Sequence, residues 1–160
     1  LRGVTEYVGG IVGFGKACEL IMRYQTIAEQ ARLEDMKRMF LDRLDIQLKK
    51  HGLGSVWSLN GCSRTATRTI NLLVNGLDAE SLVLMADQAG VCISAGSACN
   101  SRLTMPSHVL ISIGLTPDQA RSSFRVSFSR MNTVDEAAKA AEIIADCIAA
   151  LLAINADVKC

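Results

Sequence analysis

Val91-Cys92-Ile93-Ser94-Ala95-Gly96-Ser97-Ala98-Cys99-Asn100-Ser101 begins as a strand and breaks into small residues with a thiol among them. Val, Cys and Ile in succession suit the pleated interior of a sheet. Gly96 and the Ser and Ala residues beside it have no side chain large enough to anchor a loop by packing. The run after Ser94 therefore reads as exposed and mobile. A thiol held there is reachable by a reagent, whereas a structural cysteine is usually buried. Two readings stand at this point: a Ser/Gly linker with an accidental cysteine, or a loop built to present Cys99.

Upstream of this stretch, Asp78 is a good N-cap for a helix running to Ala89, with Leu82, Met85, Ala86 and Ala89 on one face and Gly90 as the stop. Thr69 to Val74 is β-rich and ends at the turn dipeptide Asn75-Gly76; Ser55 to Leu59 is a shorter strand closed by Asn60-Gly61. From about Lys16 to Lys50 the pattern is one long helix, or two in near continuity. Leu33, Met36, Phe40, Leu44 and Leu48 recur on one side and His51-Gly52 supplies the stop. Glycines at 3, 9, 10, 13 and 15 mark residues 1–15 as a loop running into a helix start.

Downstream, Pro106 reads as the first residue of a short helix carrying Val109, Leu110 and Ile113. Thr116-Pro117-Asp118-Gln119 supplies an N-cap, a proline at N1 and a glutamine at N3 for another. Phe124 to Ser129 alternates apolar and polar residues as a half-buried strand. Thr133 and Glu136 form a capping box for a last helix with an inner stripe of Val134, Ala137, Ala138, Ala141, Ala145, Ile148 and Leu152. These elements make an α/β domain, a small mixed or antiparallel sheet with helices packed on one face. No GxGxxG follows a strand and no GxxxxGK[ST] loop is present, so a self-contained nucleotide site is not supported.

Composition narrows the classes. With 49% hydrophobic residues but 4% aromatic, the core must be aliphatic. A net charge of +1 without a long basic run argues against direct nucleic-acid binding. No apolar run approaches the roughly 18 residues of a membrane span. Nothing at the start looks like a signal peptide, and a chain opening on Leu1 points to a trimmed piece of something longer. The six cysteines, at 18, 62, 92, 99, 147 and 160, do not form a disulfide framework, because Cys18 and Cys147 fall in helical patterns and Cys92 in a buried-strand pattern. That usage suits reduced thiols in the cytoplasm. No CxxC occurs and the Cys92–Cys99 spacing fits no common zinc motif, so no metal site is expected.

Ser94-Ala95-Gly96-Ser97-Ala98-Cys99-Asn100-Ser101 resembles the active-cysteine loop of cysteine desulfurases of the NifS/IscS group, close to S-S-G-S-A-C-T-S. Pro106-Ser107-His108-Val109-Leu110 resembles that group's P-S-[HY]-V-L at the matching distance. Ser123-Phe124-Arg125-Val126-Ser127-Phe128-Ser129-Arg130 resembles its S-[LIF]-R-[FIV]-S-L-G-R. Asn71, Gly76, Glu80 and Leu82 fall in the pattern N-[IV]-x-F-x-G-[VL]-x-[GA]-E-x-L, and Arg2-Gly3-Val4-Thr5-Glu6 is similar to R-[GS]-G-T-E. The series keeps its order and spacing over nearly the whole chain.

The resemblance implies the small C-terminal domain of a fold-type-I pyridoxal-phosphate enzyme with a long N-terminal connecting helix. Residues 1–18 would end the large cofactor domain and form the linker; residues 19–160 would be the small domain bearing the active-cysteine loop. The implied reaction converts L-cysteine to L-alanine and an enzyme persulfide on Cys99, whose sulfur passes to an acceptor or scaffold protein. Arg125 would hold the substrate carboxylate, as a planar guanidinium does well. Thr5 would contact the cofactor phosphate across a homodimer interface, although Val4 stands where the family has glycine. Cys92 reads as a buried, inert strand residue, and Asn71 receives no catalytic role. None of Lys16, Lys37, Lys49, Lys50, Lys139 or Lys159 stands in the family's S-x-H-K context, so the chain as given lacks the lysine that binds pyridoxal phosphate. The alternative is a non-catalytic small-domain module that binds a sulfur acceptor or partner subunit. Sequence does not choose among acceptors for iron–sulfur clusters, tRNA, cofactors or DNA modification.

Overall fold

The computed structural model describes residues 6–24, 26–61, 68–96 and 106–157. Packing divides the chain between Arg32 and Leu33. In the first unit, α1 (Val8–Tyr24) begins inside the stretch that the glycines marked as loop. A glycine weakens a helix by about 1 kcal/mol relative to alanine without forbidding it. Here Ile11, Val12, Phe14 and Ala17 fill the positions between. α2 (Ile27–Lys50) starts afresh after Thr26, whose hydroxyl accepts the Glu29 N–H at 3.2 Å. The long helical pattern is therefore two helices.

The second unit is built on a four-stranded antiparallel sheet, β1 (Trp57–Leu59), β2 (Thr69–Val74), β3 (Ser94–Ala95) and β4 (Ser123–Ser127), in the order β1-β2-β4-β3. Its register is set by apolar alternation. Leu72 lies opposite Phe124 and Ile70 opposite Val126, so one face of β2 and β4 is continuous hydrocarbon. Against this face pack Leu33, Met36, Phe40, Leu44 and Leu48 of α2, Leu82 of α3 (Ala79–Gln88), and Ala137, Ala141, Ile144 and Ile148 of α6 (Val134–Asp157). Phe40 meets Phe128 edge to face, with ring centroids 5.6 Å apart. The α6 stripe is turned from the expected one: Ile144 and Cys147 are buried and Val134 is exposed. Two short helices, α4 (His108–Ser112) and α5 (Pro117–Arg121), complete the unit.

Helix ends follow the sequence closely. Asp78 caps α3 through the Ser81 N–H at 2.9 Å, and Thr116 with Gln119 closes a reciprocal capping box on α5. Thr133 and Glu136 do the same at α6. α3 ends at Gly90 (φ 84°), where the Gly90 N–H bonds the Asp87 carbonyl at 2.9 Å and the Val91 N–H the Ala86 carbonyl at 2.8 Å. That closure needs a left-handed residue at its centre, which glycine adopts without strain. It also shortens the following strand: the Val91 N–H already serves the helix, and the ladder begins at Ser94 rather than Val91. Pro106 precedes α4 by two residues, because Ser107 occupies the N-cap. No helix among the described residues is long and apolar enough to cross a membrane.

α2 and α6 are also joined by polar contacts. Asp146 accepts from Gln47 Nε2 at 2.8 Å and lies 2.9 Å from His51 Nε2. The Gln47 amide first, and His51 next, hold the Asp146 carboxyl below the ordinary carboxylate range. A depressed folded value means stabilisation that is complete above the unfolded value, near pH 3.9, and lost as pH falls through the folded one. Asp146→Asn should thus lower the urea midpoint at pH 7, and the difference from wild type should vanish toward pH 2. Phe40→Ala, which empties the aromatic contact, should cost about 3–5 kcal/mol by the same urea titration.

Candidate functional site

The face of the sheet opposite the core is mostly polar, with Leu73 the apolar member at its covered end. Side chains directly opposite on neighbouring strands share a face. Asn71 pairs with Arg125 and Arg125 with Ser94, so these three side chains stand in a row across β2, β4 and β3. Asn60 extends the row beyond β2, since its backbone N–H bonds the Asn71 carbonyl at 2.9 Å. One residue along each strand, Leu72, Phe124 and Ala95 turn to the core, which is why Arg125 has to turn outward. Arg125 is exposed. Among the described residues it has no ion-pair or hydrogen-bond partner, and the strand residues sharing its face include no carboxylate.

One end of this face is covered. Ser123 is wholly buried and its hydroxyl donates to the Gln119 carbonyl of α5 at 2.7 Å. The same oxygen accepts from Asn60 Nδ2 at 2.9 Å, and that nitrogen also donates to Asn71 Oδ1 at 2.7 Å. Sequence reasoning gave Asn71 no catalytic role and took Asn60 only as a turn residue and Ser123 only as part of a motif. The available signal was alternation, since a polar residue between Ile70 and Leu72 has to emerge on the face away from the core.

The chain leaves this face at Gly96 (φ 52°), two residues beyond Ser94, and the description resumes at Pro106. Gly96, Pro106, Ser107, Ala95 and Arg121 line one cavity of about 110 Å³, so both roots of the intervening segment meet beside α5. Cys99 lies in that segment and Thr5 in residues 1–5; both are outside the described residues. Of the three expected site residues, Arg125 is the one whose surroundings the structure describes.

The remaining described thiols differ sharply. Cys92 is exposed, contrary to the buried and inert residue expected, because Val91, Ile93 and Ala95 are the members of the alternating run that pack inward. Cys147 is buried on α6, and burial, reinforced by the Asp146 charge, pushes its thiol up. Pyridoxal phosphate is held covalently by a lysine amine. Lys16, Lys37 and Lys49 pair with acids on their own helices, Lys50 donates to Gln47 at 2.9 Å, and Lys139 belongs to α6 on the core side of the sheet.

The Aminotransferase class-V family model matches residues 1–139. A cysteine desulfurase IscS of Clostridium botulinum is 34% identical over 135 residues, 84% of this chain and 33% of that protein. A putative cysteine desulfurase IscS 1 of Bacillus subtilis is 33% identical over 149 residues, 92% of this chain and 38% of that protein. Among solved structures, a NifS-like protein superposes with a TM-score of 0.72 at 20% identity, over 94% of this chain and 36% of its own, which shows the fold. The chain spans about a third of the length of the curated relatives it matches.

Thiol chemistry gives a direct check on the described cysteines. Alkylation of the native chain with iodoacetamide at pH 8, followed by peptide mass spectrometry, should label Cys18 and Cys92 within minutes and leave Cys147 unlabelled until denaturant is added.

Proposed function

We infer the activity from a single premise, that this chain belongs to the aminotransferase class-V family. The protein to which it contributes is a cysteine desulfurase, and this chain supplies the sulfur-carrying and substrate-anchoring part. Residues 1–18 end the cofactor domain and 19–160 form the small domain. The observation that carries this reading is Arg125, an exposed cation whose described strand neighbours on the same face include no carboxylate. The segment bearing Cys99 springs from the neighbouring strand, two residues past Arg125's own cross-strand partner.

In that role Arg125 takes the α-carboxylate of L-cysteine through two parallel N–H donors, which fixes the amino acid in orientation as well as position. Cys99 follows Ser94 by five residues, so the backbone tethers it within about 18 Å of the Arg125 row. Its thiolate takes the substrate sulfur: a sulfur–sulfur bond forms, the carbon–sulfur bond breaks, and the β-carbon takes a proton, leaving L-alanine and a Cys99 persulfide. The terminal sulfur then passes to an acceptor thiol. Pyridoxal phosphate, when bound, would supply the electron sink for cleavage. Thr5 contacts its phosphate across the interface of a homodimer.

The test uses the full-length protein loaded with pyridoxal phosphate. Wild type should release L-alanine from L-cysteine at a rate that Cys99→Ala reduces at least about a thousandfold, as expected when a nucleophile is removed. Arg125→Lys, which keeps the charge but loses the planar fork, should raise KM for L-cysteine about tenfold or more with a smaller change in kcat. Alanine release that persists in Cys99→Ala sinks the assignment of the sulfur carrier.

A further inference from the structure

We propose that Asn71 is a second ligand of the substrate carboxylate, acting beside Arg125, and that Asn60 and Ser123 are positioning residues that aim its amide. The proposal rests on the reading of Arg125 as carboxylate anchor and adds to it a donor that the motif did not identify.

A backbone carbonyl can only accept a hydrogen bond. Ser123 Oγ lies 2.7 Å from the Gln119 carbonyl oxygen and must therefore give its one proton there. It is left with lone pairs, so the Asn60 atom 2.9 Å away has to be a donor, which identifies it as Nδ2. That same nitrogen lies 2.7 Å from the Asn71 amide, and the Asn71 atom facing it has to be the acceptor Oδ1. The direction of every bond follows from the first one. An Asn amide that is ordinarily free to turn over is fixed here, with both Nδ2 protons on the branch turned from Asn60.

Neither of those protons meets an acceptor among the described residues. Asn71 is directly across from Arg125, whose guanidinium is likewise unpartnered there, and Ser94 flanks Arg125 on the other side. The strip thus presents an amide donor, a guanidinium and a hydroxyl, with no acid on the same face of the strands. Donors gathered this way suit an anion with several lone pairs. A carboxylate accepts up to four hydrogen bonds, and Arg125 can fill two of those places. The remaining lone pairs are what the Asn71 amide would satisfy.

Full-length protein loaded with pyridoxal phosphate is titrated with L-alanine and with L-alaninamide, following the cofactor absorbance, and KM and kcat are measured for L-cysteine. Asn71→Ala removes the donor; Asn71→Asp removes it while keeping the oxygen that accepts from Asn60. Both should weaken L-alanine binding and raise KM by about tenfold or more, the scale of a hydrogen bond to a charged group. Binding of L-alaninamide, which has no carboxylate, should change by less than about twofold. Asn60→Asp, which replaces the donor with an acceptor and lets the Asn71 amide turn over, should move in the same direction as Asn71→Ala. Equal weakening of alanine and alaninamide would mean a merely structural role and overturns the proposal. So does an unchanged alanine affinity in Asn71→Ala while Arg125→Lys weakens it, and that result leaves the Arg125 reading standing. An Arg125→Lys variant with unchanged affinity defeats the Arg125 reading and this proposal together. A wild type that releases no alanine defeats the desulfurase reading before any variant is compared.

Discussion

The antiparallel pairing of β2 with β4 is the constraint from which the rest follows. Ile70 against Val126 and Leu72 against Phe124 place hydrocarbon on one face, and no residue of either strand can then choose its side independently. Slipping the register by one residue would bring Arg125 into contact with α2 and α6, at the cost of burying an unpaired charge. The core residues of α2 and α6 therefore act on the site at a distance. They hold the alternation that keeps Arg125 and Asn71 together on the far side of the sheet.

Much of the fold could be read from the chain because its signals are local. The strand over 69–74, the Asp78 cap, the Thr116–Gln119 box and the Thr133–Glu136 box each depend on residues within one turn or one ladder, and each is present as read. Differences arose where two elements compete for one group. The strand expected from Val91 starts at Ser94, because closing α3 uses the Val91 N–H. α1 starts among glycines that a local rule treats as loop. Rotation of the α6 stripe toward Ile144 and Cys147 depends on what the helix packs against, which periodicity along a single helix does not contain.

The site was less legible than the fold. Arg125 stood out as a lone cation in an alternating strand, within a motif. Asn71 did not, since an isolated asparagine in a strand is as easily explained by a local hydrogen bond. Its meaning comes from three residues far apart in the chain: Asn60 next to it on one side, Arg125 on the other, and Ser123 pointing the first. Sequence spacing between 60, 71, 123 and 125 carries no sign that they meet. Only the strand order brings them into one strip.

The chain of bonds running from the Gln119 carbonyl through Ser123 and Asn60 to Asn71 has a bearing on how such a surface can drift over generations. Its polarity originates in the main chain of α5, and a point substitution does not alter a peptide carbonyl. Replacement at any side-chain link breaks the series at that link, and an acceptor in place of the Asn60 donor frees the Asn71 amide to turn over. The orientation of the Asn71 amide is thereby inherited from the placement of a five-residue helix, and its most exposed point is the Thr116–Pro117 corner that sets where this helix begins. Lineages that keep this corner together with the Ser123 and Asn60 links keep the direction of the strip.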